Sequence, residues 1–248
     1  MNESTNPPPP SGQPPVGPTN SEPLLGEDRA DRELISGPVN LVEAVLRHPR
    51  RVIYQLKQGA PGQLTFSLLL LAVGFAAVYG LIVGSFSGGV QWWAAPVKVA
   101  GGLVAAAAIC LPSLYIFACL CGSAARLPEV AGALGGLVAL TTLLLIGFAP
   151  VAWLFSQSTE SVMMMGCFHL LFWVVAVRFG VRFLLTAFRH FGLKTAAGLR
   201  VWVVIFILVS LQMTAALRPL IGQADTLLPT GKKFFAAHWL DCLDGKTR

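Results

Sequence analysis

Acidic side chains are nearly missing from the middle of this chain. Between Glu43 and Asp225 only Glu129 and Glu160 occur, and neither lies inside an apolar run. Ion-coupled transporters and proton relays commonly rest on an intramembrane carboxylate, so that mechanism lacks its usual residue. Charge of either sign is scarce, at 12% of residues, where a soluble domain carries about a quarter. Cysteine is sparse and has no metal spacing. Cys110, Cys119, Cys121 and Cys167 fall in or beside apolar runs and Cys242 stands alone. Cys119-Leu120-Cys121 has no companion histidine or cysteine cluster, which favours small packing residues over a metal site. The run from Gly84 to Gly88 centres on Phe86 and so misses the G-x-S-x-G nucleophile pattern. No early apolar segment with a basic lead is present. The first begins near Leu64, and the first span is expected to serve as its own insertion signal.

What the chain has is apolar length. Mean hydropathy is +0.66 with 54% hydrophobic residues. Five stretches, at about 64–84, 97–120, 130–155, 162–185 and 201–217, are long enough to cross a bilayer. The expected fold is all-α: a polytopic membrane bundle of five transmembrane helices with a disordered N-terminal tail. The expected organisation is a proline-rich tail over 1–27, an amphipathic basic lead-in over 28–62, the helical domain over 63–222 and an outer tail over 223–248.

The tail alternates Pro7–Pro10, Pro14, Pro15, Pro18 and Pro23 with small polar residues. It has little apolar surface to offset the entropy of ordering. In the lead-in, Leu41, Val42, Val45, Leu46, Val52, Ile53 and Leu56 recur at helical spacing among basic residues. Asn40 is placed to cap a helix from Leu41, and Pro49 to bend or split it. Two readings are open: an interfacial helix on the cytoplasmic leaflet, or a protein-docking helix. In the first, Arg47, Arg50, Arg51 and Lys57 meet anionic head groups.

Basic residues set the orientation. Arg47, Arg50, Arg51, Lys57, Arg126, Arg178, Arg182, Arg189, Lys194 and Arg200 fall on one side of the five stretches. By the positive-inside rule the N-terminus is cytoplasmic and the C-terminus outside. The net charge of +6 therefore reads as topology, with no nucleic-acid partner. Trp92 and Trp93 mark the outer interface.

Few side chains could carry chemistry. Arg178, Arg182 and Arg189 share a helical face and are expected at lipid phosphates. Lys98 and Arg218 read as span-end anchors that snorkel outward. His169 and Gln212 read as polar groups bonded between helices; a metal ligand or proton relay is the alternative for His169. Met163-Met164-Met165 point about 100° apart on a helix and cannot converge on one copper ion. No metal, cofactor or catalytic set is expected. The pairs Gly80/Gly84 and Gly132/Gly136 are G-x-x-x-G, which fits a compact bundle or a homodimer.

The order of parts resembles the Yip1-like membrane proteins: a soluble tail, a basic amphipathic lead-in and five closely spaced spans. Gln212-Met213 followed by Leu217-Arg218-Pro219-Leu220-Ile221-Gly222 looks like the end of the last span in an uncharacterised bacterial group of such proteins. The bacterial relatives bring no function with them. The leading expectation is a non-enzymatic, Yip1-like protein of a bacterial inner membrane that organises a membrane or a membrane-protein partner, since no nucleophile, base and oxyanion site assemble in the sequence. The resemblance brings no catalytic residues, and no GTPase-binding motif of the eukaryotic relatives is matched. A small transporter, channel or permease partner subunit is the alternative, with His169, Gln212 and Arg218 along its path.

Overall fold

The computed structural model describes residues 25–87, 91–158 and 162–216. The expected disorder of the first residues, the outer tail and Arg218 lie outside these. Every described element is an α-helix. Three short ones come first: α1 (Arg29–Arg32), α2 (Gly37–Arg47) and α3 (Pro49–Gln58). Five long ones follow: α4 (Pro61–Ser87), α5 (Gln91–Leu120), α6 (Leu127–Ser158), α7 (Val162–His190) and α8 (Ala197–Ala216).

Four helices, from α4 to α7, are long and apolar enough to cross a membrane; α8 contributes a shorter apolar stretch, Ala197–Met213. The apolar bundle fits an integral membrane protein. Five spans were expected; four helices meet the length over the described residues, and the fifth apolar stretch is shorter. Helices α4 to α7 are also longer than a hydrocarbon layer requires. At 1.5 Å per residue, α7 is about 43 Å long, while a hydrocarbon layer is about 30 Å thick.

Helix α6 is the hub, packed between α4 and α7; α4 also lies along α5, and α5 along α8. Glycine makes the close approaches. A methyl group at Gly80 would strike the backbone of Pro96, and one at Gly180 would lie 2.8 Å from the Leu137 carbonyl oxygen. Gly132 receives Leu56, and Gly136 receives the ring of Phe183. At these four glycines the space is filled by neighbours within the bundle.

The α5–α6 and α7–α8 connections are built alike. Gly122 and Gly192 adopt φ of +78° and +82°, where glycine carries no steric penalty. Each ends its helix in a Schellman motif: Ser123 N–H donates to Ala118 O and Leu193 N–H to Phe188 O, both at about 3 Å. The two turns then bond reciprocally, Ala124 N–H to Phe191 O and Lys194 N–H to Cys121 O. The C-terminal ends of α5 and α7 are thereby tied together at one end of the bundle.

The three short helices cover that same end. Leu41, Ala44, Val45, Val52, Ile53 and Leu56 are buried in the main core. The lead-in was expected to lay this face on lipid; the structure lays it on α4, α6 and α7. The physical reason is at Gly132, where the missing side chain leaves a socket for Leu56. Helix α2 begins at Gly37 with proline in its first turn, earlier than the expected start at Leu41, because proline is favourable there. His48 ends α2 and Pro49 starts α3. Leu25 packs on the core and Gly26 bonds to Asp31, so 25–27, expected in the tail, belong to this cap.

Candidate functional site

Two groups of polar side chains stand out among the described residues, one in the cap and one in the far half of the bundle. In the cap, Arg51 is only 7% exposed. Its Nε donates to Glu33 O at 2.7 Å and its Nη2 to Leu34 O at 2.8 Å. Gln55 Nε2 donates to the same Glu33 carbonyl at 2.7 Å. The Arg51 guanidinium also pairs with the Glu33 carboxylate at 3.5 Å. Arg50 pairs at 3.4 Å with Asp31, a buried carboxylate that also accepts from Gly26 N–H at 3.1 Å. These bonds pin the loop 33–36, which has no helix of its own to satisfy its carbonyls.

Arg50 and Arg51, assigned to head groups from sequence, are thus turned inward onto residues 31–34. Lys57 is exposed but donates its ammonium to His190 O at 3.2 Å. It sits where the α7 carbonyls run out of intrahelical partners, a favourable place for a cation. Arg47 alone of the four lies free of the bundle, with a loose i,i+4 contact to Glu43 at 3.9 Å. The outward side of the cap carries exposed apolar residues: Leu34 is 80%, Val39 77% and Leu46 47% exposed.

In the far half of the bundle, Tyr79 of α4 and His169 of α7 share a hydrogen bond of 2.6 Å between the phenol and Nδ1, with their rings edge to face. They sit in a second apolar cluster with Leu145, Ala149, Met165 and Phe172. With the phenol donating to Nδ1, the ring proton resides on Nε2. Nε2 is buried and has no hydrogen-bond partner among the described residues. The sequence reading missed Tyr79. A tyrosine in the middle of an apolar run was its signal, since a buried phenol needs a partner.

Lys98 is also inside. Helix α5 starts at Gln91, earlier than expected, so Lys98 lies about two turns in and is 6% exposed. Its side chain is packed within the bundle. Gln212 is half-buried in the last turns of α8. Met164 is exposed and Met165 fully buried, facing apart as helical geometry requires. Among the described residues, no group of three His, Cys, Asp or Glu side chains could hold a metal ion.

Arg178, Arg182 and Arg189 all lie on the exposed stripe of α7. Arg50 and Arg51 are thus held in the cap, while Arg178, Arg182 and Arg189 are displayed along α7. No family model, curated protein or solved structure matches this chain.

Proposed function

We propose that this chain is a non-enzymatic, Yip1-like integral membrane protein that organises a membrane or a membrane-protein partner. In this reading α8 is a fifth span, the N-terminus and cap are cytoplasmic, and the C-terminus lies outside. The membrane is a bacterial inner membrane. The observation that carries the reading is the cap. Its inward face is consumed by the bundle, while its outward face keeps Leu34, Val39 and Leu46 exposed beside Glu43 and Arg47. Exposed apolar residues rimmed by charge mark interaction surfaces more often than catalytic ones. Orientation follows from the basic residues at the cap end, Arg126, Arg189, Lys194 and Arg200, on the positive-inside rule.

Transport is the second reading, favoured by one observation. Tyr79 and Lys98 are buried and His169 half-buried among apolar helices, and such polar or ionisable groups often line pathways.

Photocrosslinking in cells separates the two. A photoreactive residue at Val39 should capture a discrete membrane protein, and one at buried Leu41 should not. Saturable flux of a defined solute through vesicles reconstituted with the pure protein would instead support transport.

A further inference from the structure

Three guanidinium groups stand on the outward face of α7 with no acid paired to them among the described residues. Arg178, Arg182 and Arg189 are exposed, in line with exposed Leu171 and Val174. Among the described residues none of the three side chains forms an ion pair, whereas Arg47, Arg50 and Arg51 of the cap all do. The nearest acid in sequence on the described chain, Glu129, is engaged with the backbone of Arg126 at the start of α6. No acid among the described residues supplies the compensating negative charge.

The register shows how deep these residues lie. Gly180 sits against Thr141 and Gly136 against Phe183, with α6 and α7 antiparallel. Arg178 is therefore about level with Thr142, and Arg182 with Val138, near the middle of α6. Counted from Val162, where the fourth span is expected to begin, a hydrocarbon layer of about 30 Å spans about 20 residues and ends near Arg182. Arg178 is one turn further in. Helix α4 independently places the boundary at the same height. Its outward face carries exposed Gln63 and Ser67, and neighbouring Thr65 lies against Gly132 and Gly135. A charged side chain on a lipid-facing surface at this depth is costly unless it reaches a phosphate. Arginine reaches with a long stem, and its planar fork matches two phosphate oxygens.

We infer that Arg178 and Arg182 form a binding site for the phosphate of an anionic phospholipid of the cytoplasmic leaflet, with Arg189 adding charge at its mouth. An anionic lipid fits better than a zwitterionic one because three cations with no acidic partner among the described residues face it. A zwitterionic head group brings its own ammonium and leaves that excess in place. The inference rests on the proposed orientation for the name of the leaflet, but the site itself does not depend on it.

The test uses the full chain in nanodiscs of mixed phosphatidylglycerol and phosphatidylcholine, with bound lipid counted by native mass spectrometry. The wild type should retain phosphatidylglycerol over phosphatidylcholine. Arg178→Gln with Arg182→Gln should lower that retention by about 30-fold, a factor of about 5 for each arginine. Arg47→Gln, on the cap surface, should leave it unchanged. Equal retention of both lipids by the wild type, or undiminished retention by the double variant, would overturn the inference. So would displacement of the lipid by inorganic phosphate at matched concentration, which marks a free-anion site. So would a photoreactive residue at Phe179 that captures an acidic membrane protein and no lipid. If the glutamine pair fails to fold, Arg178→Lys with Arg182→Lys keeps the charge and loses the fork. Retention should then fall by about threefold or more, and unchanged retention would count against the site. Both leaflets of a nanodisc are alike, so a wrong orientation would appear only in the labelling experiment that closes the Discussion.

Discussion

Lys57 donates its ammonium to the carbonyl oxygen of His190 at 3.2 Å, across 133 residues of sequence. The bond joins the last turn of the cap to the last turn of α7, where the helix presents its negative end. It ties the fate of the cap to the bundle. Lys57→Ala should lower stability by about 0.5 kcal/mol, the size of a surface cation at a helix C-terminus. Thermal unfolding in detergent should show this small loss at low salt and a smaller one at high salt.

Arg51 should matter far more. It is buried, and its removal leaves the Glu33 and Leu34 carbonyls with fewer donors. Arg51→Met is expected to cost about 2–4 kcal/mol, the scale of losing a buried charged donor. The first symptom should be release of the cap. Limited proteolysis should then cut within 25–58 while the helices from α4 onward stay protected.

How much of this was legible in the sequence differs between these two residues and their neighbours. The apolar spacing of Leu41, Val45, Val52 and Leu56 names the buried face correctly. It cannot say whether that face meets lipid or protein, because both are apolar. The answer lies in Gly132, about 75 residues further on. Arg50 and Arg51 have the same local pattern as a lipid-binding pair; only the return of residues 31–34 over them turns them inward. His169 was visible as a polar group needing a neighbour. Its partner Tyr79 is 90 residues away, and nothing local pairs them. Lys98 was placed at a span end because the apolar core begins near Val97, while the helix itself begins at Gln91.

The Tyr79–His169 bond gives a third prediction. If it is structural, Tyr79→Phe and His169→Leu should each be tolerated, and the double-mutant cycle should return a coupling near the membrane average of about 0.6 kcal/mol. Purified protein should keep its yield and monodispersity in each case. A coupling near zero would mean that the 2.6 Å contact contributes nothing to the fold.

Two glycines form an internal control on packing. Gly180 faces the Leu137 backbone, whereas nothing lies within 4 Å of where a methyl group would stand at Gly147. Gly180→Ala should cost about 1–3 kcal/mol by overpacking. Gly147→Ala should be neutral or stabilise by up to about 1 kcal/mol through helix propensity. Thermal shifts of opposite sign are expected from the same chemical change.

The central claim is a cytoplasmic cap on a five-span bundle, and cysteine labelling of intact cells tests it most directly. In a background lacking the other cysteines, one version carries only Cys242 and a second only a cysteine from Ser36→Cys. A membrane-impermeant maleimide should label Cys242 from outside. The Ser36→Cys site, exposed on the cap, should react only after the membrane is opened. Labelling of the cap site in intact cells, or protection of both sites until permeabilisation, would contradict the account.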